Sequence, residues 1–544
     1  MNVEQEKQVQ NRVDFKSANR TVMFGAIAFF VIVGALSLHR HLIFFSNTDH
    51  GIFNQVFWNS VHGRWFESSL SSALSTNVIH HDEVPTVYYH RLGQHFTPAL
   101  LVWMPIYAIA QHPLTLAIIQ VSLITAAGVV LYYLARQRLQ PRLAAMIALS
   151  FYGANAVIGP ALGNFYDYSQ IPLYIFTLLL AMEKRWWALF WPMAGLTLLV
   201  REDAGVVLCG VGLYLILSRR YPKIGLGVCG LSIGYLLLVT NWAMPLFSSD
   251  ISERFMIERF GQFVENDTAS TIDIIWAIAT QPLKLVEEII SPRDKTIRYL
   301  LGHWLPLAFV PAIAPASWTI AGLPLLQILL QQGTTPMSIT VRYATAVIPG
   351  LFYGAIIWWS YRESLFKTWF RKFWILCISL SLIFTLTSNP HRSVFFLVPD
   401  SVQPWVYRSL PGAWSHANHI SHVLAQIPEN ASVSSTRFMI PALSNRRAIL
   451  KMPKIQYLND QQKPRRVKYI VADIGHWLPE AEFRRARDEI RRTVPPIDRL
   501  LERQQYGVVH YEDGIVMLKR GEDSNNQALQ EWQAFRNTID EILN

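Results

Sequence analysis

The sequence predicts a polytopic α-helical membrane protein with a water-exposed α/β domain at its C-terminal end. Hydrophobic residues make up 51% of the 544 residues and charged residues 16%, against about 25% in soluble domains. The apolar residues are gathered in runs of helical length, and the 18 tryptophans suit aromatic belts at two membrane interfaces. Beyond Ser388 charges become frequent and apolar runs shorten, which predicts a separate domain.

About eleven apolar runs are candidate membrane spans, although several fall short of the roughly 17–25 residues of a full span. The runs are Thr21–Ile43, Pro113–Ala135, Leu143–Leu162, Ile171–Met182, Trp186–Val200, Ala204–Ser218, Ile224–Met244, His303–Trp318, Thr319–Gln332, Tyr343–Ser360 and Phe373–Thr387. The first is too long for the apolar part of a signal peptide, and no small-residue cleavage site follows it. We therefore expect a cytoplasmic tail over residues 1–20 and a transmembrane domain over residues 21–388.

The apolar stretch Phe96–Ala110 decides the predicted topology. It is about 15 residues long and contains Pro98 and Pro105, so we interpret residues 96–111 as interfacial or re-entrant rather than as a span. The N-terminus then shares the cytoplasmic side with four basic clusters, as the excess of Lys and Arg in cytoplasmic loops requires. These clusters are Arg136/Arg138/Arg142, Lys184/Arg185, Arg219/Arg220/Lys223 and Arg362/Lys367/Arg371/Lys372.

This topology places the polar connections that carry acidic residues on the outer face. They include a first external loop over residues 46–95, a second over 245–302 and the extracytoplasmic α/β domain over 389–544. Lys and Arg residues in cytoplasmic loops, where they contact anionic lipid headgroups, explain the net charge of +10. We therefore expect membrane lipids and no nucleic acid as partners. The three cysteines lie within apolar runs and show no metal-ligand spacing.

The C-terminal region alternates helix-like and strand-like segments. The pattern predicts helices over Trp414–Gln426, Glu480–Thr493 and Asn526–Leu543, strands over Ser432–Ser435, Ala448–Met452 and Val467–Asp473, and a hairpin over Tyr506–Lys519 that turns near Asp513–Gly514. Neither a Gly-rich phosphate loop nor a nucleophile motif is present. We expect an accessory or acceptor-binding domain.

Asp49 directly follows the first predicted span, at the outer membrane surface. Two interpretations are open: an N-cap of a helix over Gly51–Val61, or a reactive carboxylate at the mouth of the bundle. The same loop is rich in histidine, and imidazole with carboxylate suits a divalent metal. A metal site at His80, His81 and Asp82 is only a weak alternative, because no HxxxH or HExxH spacing occurs, and we expect no metal.

Charged residues also interrupt apolar sequence elsewhere on the predicted outer face. Asp167 lies in an aromatic turn, and Arg201-Glu202-Asp203 stands between two apolar runs. Charges so close to a bilayer are costly unless they pair or form a site. The three adjacent residues either form an internal ion pair that caps two helices or carry a function. Arg342 either reaches lipid headgroups or holds a phosphate.

Several stretches resemble a known family. They are TDHGIFNQVFWNSVHGRWF, HRLGQHFTPALLVWMPIYAIAQHPLTLAIIQ and LVREDAGVVLCGVGLYL, with IPENASVSSTRFMIPALSNRR and VKYIVADIG nearer the C-terminus. Together they resemble the bacterial and archaeal membrane family known as domain-of-unknown-function family 2079, which falls in the GT-C superfamily of membrane glycosyltransferases. The resemblance covers nearly the whole chain and implies a GT-C-like helix bundle in a bacterial cytoplasmic (inner) membrane.

Residue by residue, the resemblance implies a site at the outer face. Asp49 matches the acidic residue that GT-C enzymes place at the start of the first external loop, usually the catalytic base. Glu202 and Asp203 match a Glu-Asp pair of the family and are further catalytic candidates. The candidates for substrate binding are His50, Asn54, Gln55, His95, Asp167, Arg201, Arg342 and Tyr343. His50 stands where relatives commonly have Leu, and residues 70–89 are an unusual insertion.

The implied reaction is an inverting transfer of a sugar from a polyprenyl-phosphate donor to an acceptor glycan, lipid or protein. A carboxylate takes the proton of the acceptor hydroxyl as it attacks the anomeric carbon, and cationic groups hold the leaving phosphate. Arg342, Arg201 and Arg91 are candidates for that role. No nucleotide cofactor is needed. Two other functions stay open: a transporter or flippase of a lipid-linked or small substrate, and a non-enzymatic membrane scaffold.

Overall fold

The computed structural model describes residues 3–78, 84–248, 257, 259–264, 271–333, 335–387 and 408–543. The chain forms two compact units, each discontinuous in sequence. The first comprises Met1–Ser37, His95–Trp103 and Ala117–Asn389, and the second comprises Leu38–Gln94, Met104–Leu116 and Pro390–Asn544. The second unit thus joins most of the predicted first external loop to the predicted C-terminal domain.

The first unit is built of helices, most of them apolar. They are Val3–Leu42 as far as Ser37, Pro113–Ala135 from Ala117, Pro141–Tyr152, Asn155–Leu162, Ile171–Glu183, Trp187–Val200, Gly205–Leu217, Pro222–Leu238, Thr271–Thr280, Pro282–Ile290, Arg293–Trp304, Val310–Ile313, Pro315–Leu329, Ala344–Ser360 and Thr368–Thr387. A 3-10 helix, Pro98–Trp103, also belongs to this unit. Aromatic rings fill the core: Phe151 meets Phe352 edge to face, and Trp359 stacks on Trp374 with ring centroids 5.5 Å apart.

Four of the described helices are long and apolar enough to cross a membrane: Phe15–Leu42, Pro113–Ala135, Pro222–Leu246 and Thr368–Leu386. A fifth candidate is the pair Pro141–Tyr152 and Asn155–Leu162, which is bent by 42°. Shorter apolar helices are Pro98–Ile109, Trp187–Val200, Gly205–Leu217, Pro315–Leu329 and Ala344–Ser360. The prediction of several apolar helices is confirmed, and the count of about eleven spans stays a prediction.

The predicted span His303–Trp318 is wrong as a continuous helix. One helix ends at Trp304, and Ala308 and Phe309 then take left-handed backbone conformations with φ of 51° and 63°. Prolines at positions 306, 311 and 315 each lack a backbone N–H and disfavour helix in the residue before them. The chain therefore turns here, and the next long helix begins at Pro315.

A mixed β-sheet forms the centre of the second unit. The strands of this unit are β1 Val433–Ser435, β2 Ile449–Lys451, β3 Gln456–Leu458, β4 Pro464–Arg466, β5 Tyr469–Asp473, β6 Tyr506–Glu512 and β7 Ile515–Arg520. The sheet has the order β2-β1-β5-β7-β6, in which β1, β2 and β5 are parallel and β7 is antiparallel to both neighbours. Strands β3 and β4 pair separately as an antiparallel hairpin.

Helices cover both faces of this sheet. They are Leu410–Ala425, Ile440–Leu443, Arg484–Glu502, Asn526–Thr538 and Asp540–Leu543, and the unit also contains Thr48–Val61, Ser69–Val78 and Met104–Ile109. Successive strand residues point to opposite faces, so Ile470 packs in the core beneath the helix Arg484–Glu502, whereas Val471 packs in the core beneath Leu410–Ala425.

The predicted elements of the C-terminal region are confirmed, with shifted ends. The turn at Asp513–Gly514 has φ of 48° and 78°, which suits a two-residue hairpin loop. The helix predicted over Glu480–Thr493 begins later, at Arg484, and continues to Glu502. The hairpin β3–β4 was missed, because its short strands are polar and only partly buried.

The predicted first external loop is hydrogen-bonded to strands of its own unit. Ser69 Oγ donates to the Ile449 carbonyl of β2 over 2.7 Å, and Leu458 N–H of β3 donates to the Pro85 carbonyl over 2.8 Å. These bonds link residues hundreds of positions apart, and they explain why the two regions form one unit.

Candidate functional site

The Arg201-Glu202-Asp203 segment joins two apolar helices of the first unit. The helix Trp187–Val200 ends where Arg201 takes an extended conformation, and the next helix begins at Gly205. All three charged side chains are at least nine-tenths buried. Because each buried charge costs several kcal/mol unless it is compensated, the partners of these three groups define what the segment can do.

Glu202 is held through both of its carboxylate oxygens. Oε1 lies 2.8 Å from His95 Nδ1 and 3.2 Å from Arg201 Nε, and the Phe96 backbone N–H donates to Oε2 over 3.0 Å. Burial alone would raise the pKa of Glu202, but the neighbouring charges of His95 and Arg201 outweigh it and hold that pKa below its ordinary value. Glu202 is therefore an ionised anchor for His95 and Arg201.

Asp203 gathers a second set of partners. Gln327 Nε2 donates to Oδ2 over 3.1 Å, and Arg259 Nη1 lies 3.8 Å from the same oxygen. Arg201 Nε lies 3.4 Å from Oδ1, so Arg201 is placed between the two acids. Its guanidinium also lies over the ring of Tyr168, 5.1 Å from the centroid, which is cation–π distance.

Arg342 and Tyr343 adjoin these groups. Arg342 Nη2 donates to the Tyr343 hydroxyl over 3.0 Å, and its guanidinium lies 4.5 Å from the ring centroid of Tyr166. Arg201 and Arg259 also act electrostatically on the Tyr343 hydroxyl. We call Arg201, Arg259, Arg342 and Tyr343 the basic cluster. The ring of Tyr168, against which Arg201 lies, is 6.3 Å from the Tyr343 ring and links the two sides of the cluster. Guanidinium groups suit recognition of a phosphate, which accepts bidentate hydrogen bonds from Arg.

The first unit brings together, through direct contacts and the ring of Tyr168, six of the residues predicted from the sequence: His95, Arg201, Glu202, Asp203, Arg342 and Tyr343. Asp167 is buried nearby; its Oδ1 accepts the Tyr168 N–H over 3.0 Å, and its charge acts on Arg201. Sequence reasoning missed Arg259 and Gln327. Both lie more than 50 positions from Asp203 in the chain, and only the tertiary fold brings them to it.

Asp49 belongs to the second unit, and the interpretation of this residue as an N-cap is wrong. The helix runs over Thr48–Val61, and its cap is Asn47, whose side-chain oxygen accepts the Asp49 N–H over 2.9 Å. Asp49 is half-buried in the first turn, where a carboxylate is favourable to the helix dipole. It acts electrostatically on Lys451 of β2.

His50 is fully buried one position further along this helix. Its Nε2 lies 2.8 Å from the Pro113 carbonyl. Burial, opposed in part by this hydrogen bond, lowers the pKa of His50 to about 3. The imidazole is therefore neutral at physiological pH and donates to that carbonyl, which favours a structural role over the predicted substrate contact.

Asn54 and Gln55 are satisfied within their own unit. Asn54 donates to Ser444 Oγ over 2.7 Å and accepts from the Tyr107 hydroxyl over 2.7 Å. Gln55 donates to the carbonyl of Arg446 over 3.0 Å and accepts from the Ser68 hydroxyl. Buried amides with such complete bonding favour a structural role for both residues, in place of the predicted substrate binding.

Two further predictions have separate outcomes. His80, His81 and Asp82, the weak alternative for a metal, lie outside the described residues. Arg91 is buried in the second unit, where its guanidinium lies over the ring of Phe53, 4.6 Å from the centroid. A role for Arg91 in holding the leaving phosphate stays a prediction.

Comparisons with known proteins give a family and distant structural neighbours. The family model described as "Predicted membrane protein (DUF2079)" matches residues 40–517. No curated protein sequence matches the chain. ArnT from Cupriavidus metallidurans, solved with bound undecaprenyl phosphate, is similar with a TM-score of 0.46 and 11% identity, over 91% of this chain and 97% of ArnT. The archaeal oligosaccharyltransferase AglB from Archaeoglobus fulgidus was solved in complex with an inhibitory peptide and a dolichol-phosphate. It is similar with a TM-score of 0.38 and 12% identity, over 91% of this chain and 74% of AglB.

Proposed function

The chain belongs to the DUF2079 family of predicted membrane proteins, and on that premise we propose that it is a membrane glycosyltransferase with a polyprenyl-phosphate sugar as donor. The resemblance of the family to the GT-C superfamily implies the class of reaction. The observation that carries the proposal is the basic cluster, in which Arg342 donates to the Tyr343 hydroxyl and Arg201 and Arg259 both lie against Asp203. We further propose the outer face of a bacterial inner membrane as the place of reaction.

The basic cluster suits the phosphate of a lipid donor because of where it lies. Arg201 follows one apolar helix and precedes another, and Arg342 comes just before the apolar helix Ala344–Ser360. A polyprenyl chain stays in hydrocarbon whereas its phosphate needs cationic donors at the interface. Guanidinium groups at the ends of apolar helices meet both needs.

The two acids beside the cluster fit a positioning role. Glu202 orients Arg201 and His95 through direct contacts of 3.2 and 2.8 Å. Asp203 holds Arg201 and Arg259 at 3.4 and 3.8 Å. Since both carboxylates are engaged with cations, they are poorly placed to accept a proton. The general base that we propose is Asp49, the residue that the family resemblance assigns to this role.

The reaction balances with these groups. The acceptor oxygen attacks the anomeric carbon, the bond from that carbon to the phosphate oxygen breaks, and the phosphate keeps the electron pair. Asp49 takes the proton of the acceptor hydroxyl, and the guanidinium groups stabilise the charge that develops on the phosphate.

Lipid retention by the purified protein tests the phosphate site. Native mass spectrometry of the full chain from mild detergent, with added undecaprenyl phosphate as the probe, should show a bound lipid phosphate. Arg342→Met should weaken that binding by about 10- to 100-fold, since a charge-assisted hydrogen bond contributes about 1.5–3 kcal/mol. The matched control is Arg220→Met, because Arg220 also lies close to the end of an apolar helix, Gly205–Leu217, but pairs with Glu183 at 2.7 Å.

Equal affinities of Arg342→Met and the parent would contradict the phosphate assignment. Equal losses in Arg342→Met and Arg220→Met would also contradict it, because binding would then follow general basicity or stability of the unit rather than the basic cluster.

A further inference from the structure

Three histidines recur at every third position of the helix Leu410–Ala425, namely His416, His419 and His422. This spacing keeps side chains near one helix face. His416 faces Asp473, the last residue of strand β5, and His476 follows three residues later. Carboxyl ends of parallel strands are a common position for binding sites in α/β sheets.

His416, Asp473 and His476 present their donor atoms to one point. His416 Nε2 lies 3.1 Å from Asp473 Oδ2, and His476 Nδ1 lies 4.0 Å from the same oxygen. One ligand atom of each residue lies within 4.8 Å of the others. Ligands bound to a transition metal at about 2.0–2.2 Å are about 3–4 Å apart, so convergence on an ion needs only small movements of these side chains.

Neighbouring groups hold these side chains in place through hydrogen bonds, as second-sphere groups do in metal sites. The second ring nitrogen of His416, Nδ1, lies 2.7 Å from Asp513 Oδ2. The His476 backbone N–H donates to Asp473 Oδ1 over 2.9 Å and leaves Oδ2 to face the imidazoles. A carboxylate on the distal nitrogen of a ligating histidine fixes its tautomer and strengthens it as a ligand.

Burial separates this cluster from an ordinary surface ion pair. The side chains of Asp473 and His476 are 2% and 1% exposed, and that of His416 is 17% exposed. Two imidazoles and one carboxylate form a donor set that suits divalent first-row transition ions, whereas Ca²⁺ and Mg²⁺ prefer oxygen alone.

We propose that His416, Asp473 and His476 form a binding site for a divalent transition-metal ion, of which Zn²⁺ is the probe. His416 binds through Nε2 and Asp473 through Oδ2, and Asp513 supports His416 from the outer sphere. Three protein ligands leave at least one coordination position for water or a further ligand. The site lies in the sheet domain and does not depend on the proposed glycosyl transfer.

A second cluster, formed by the same helix and strand β6, supplies the matched control. Glu512 Oε2 lies 2.7 Å from His422 Nδ1 and 3.3 Å from His510 Nε2, and His419 Nδ1 lies 2.6 Å from Oε1. His422 is 64% exposed. Its greater exposure makes this cluster the weaker candidate, and replacement of His422 changes the same residue type six positions further along the helix.

The test is zinc titration of the purified, metal-free full chain, followed by calorimetry and by metal analysis after gel filtration. The parent should bind one ion tightly. His416→Gln should lose this binding, Asp513→Asn should weaken it by about 10- to 100-fold, and His422→Gln should match the parent. Melting curves of the metal-free variants check the fold, and Asp513→Asn, which removes no ligand, keeps the test valid where His416→Gln fails to fold.

Other results would overturn the site. These are no bound ion in the parent, unchanged binding in Asp513→Asn, or loss of binding in His422→Gln with retention in His416→Gln. Equal loss in His416→Gln and His422→Gln would also refute it, because the ion would not then be confined to the three ligands. In each case, a protonated His416 bridging Asp473 and Asp513 would remain the explanation of the geometry.

Discussion

Glu202→Gln tests whether Glu202 positions its neighbours or performs chemistry. The replacement keeps the shape of the side chain and removes its charge. In the parent protein, the Glu202 carboxylate accepts hydrogen bonds from Arg201, from His95 and from the Phe96 N–H. A glutamine offers only one acceptor oxygen to these partners. Its amide N–H₂ takes the place of the other oxygen and therefore faces a group that also donates.

The structure sets the size of the expected effect. Removing one partner of a buried ion pair costs about 3–5 kcal/mol. Asp203 still lies 3.4 Å from Arg201 and compensates part of its charge, so we expect the lower end, about 3 kcal/mol. Asp203→Asn should cost less, about 1–2 kcal/mol, because the asparagine oxygen can still accept from Gln327 at 3.1 Å.

The assay is thermal unfolding of both variants and the parent in one detergent, with lipid-phosphate binding measured on the same samples. Glu202→Gln should melt at the lowest temperature, Asp203→Asn between it and the parent, and binding should fall in both. A Glu202→Gln variant with the same melting temperature as the parent would refute the reasoning, because the carboxylate would not then be stabilising a buried cation.

Three further predictions follow from individual contacts and a fourth from the predicted topology. Because the folded-state pKa of Glu202 is depressed, its stabilisation is present above the unfolded pKa near 4.3 and is lost as pH falls towards the folded value; acid unfolding of Glu202→Gln should lack this component. His50 has a folded pKa of about 3 against 6.5, so its contribution is present above pH 6.5 and about 2 kcal/mol of it is lost at pH 5; in His50→Asn the melting temperature should change less between those two pH values. Asn54→Ala should cost about 3 kcal/mol, since the Tyr107 hydroxyl and Ser444 lose their partner; a melt equal to that of the parent would contradict the structural role. With the native cysteines replaced, Asn526→Cys should react with an impermeant thiol reagent in intact cells and Arg362→Cys only after permeabilisation; the reverse pattern would overturn the proposed topology.

Local composition predicted the helices well wherever a run was continuous. The helix Pro113–Ala135 matches the predicted run at both ends, because Pro113 suits the first helical turn. The run His303–Trp318 failed, because its average hydropathy hides three prolines that stop a helix. The strands of the sheet were found from short apolar segments such as that of β5, which is buried at every position.

The sites could be predicted only in part. Charged side chains between apolar segments are energetically unfavourable near a bilayer unless they pair, and this argument pointed to Arg201, Glu202 and Asp203. In the structure each of them has a buried partner. Arg259 and Gln327 reach Asp203 from far along the chain, and no local pattern marks such contacts. The roles first assigned to Asn54 and Gln55 came from their place in the TDHGIFNQ run, which does not show that residues 444–447 occupy their hydrogen bonds.

Release of polyprenyl phosphate from a polyprenyl-phosphate sugar, by the full chain in liposomes, tests the proposed glycosyl transfer most directly. An extract of the native membrane supplies both the donor lipid and the acceptor whose hydroxyl receives the sugar, and lipid mass spectrometry follows the released polyprenyl phosphate. Asp49→Asn should slow release by at least about 100-fold, as expected on loss of a general base. The matched control is Asn47→Ala, which removes the helix cap at a cost of about 1 kcal/mol and should release product at near the parental rate. Equal rates in Asp49→Asn and the parent, or no release by the parent from any donor lipid, would contradict the account.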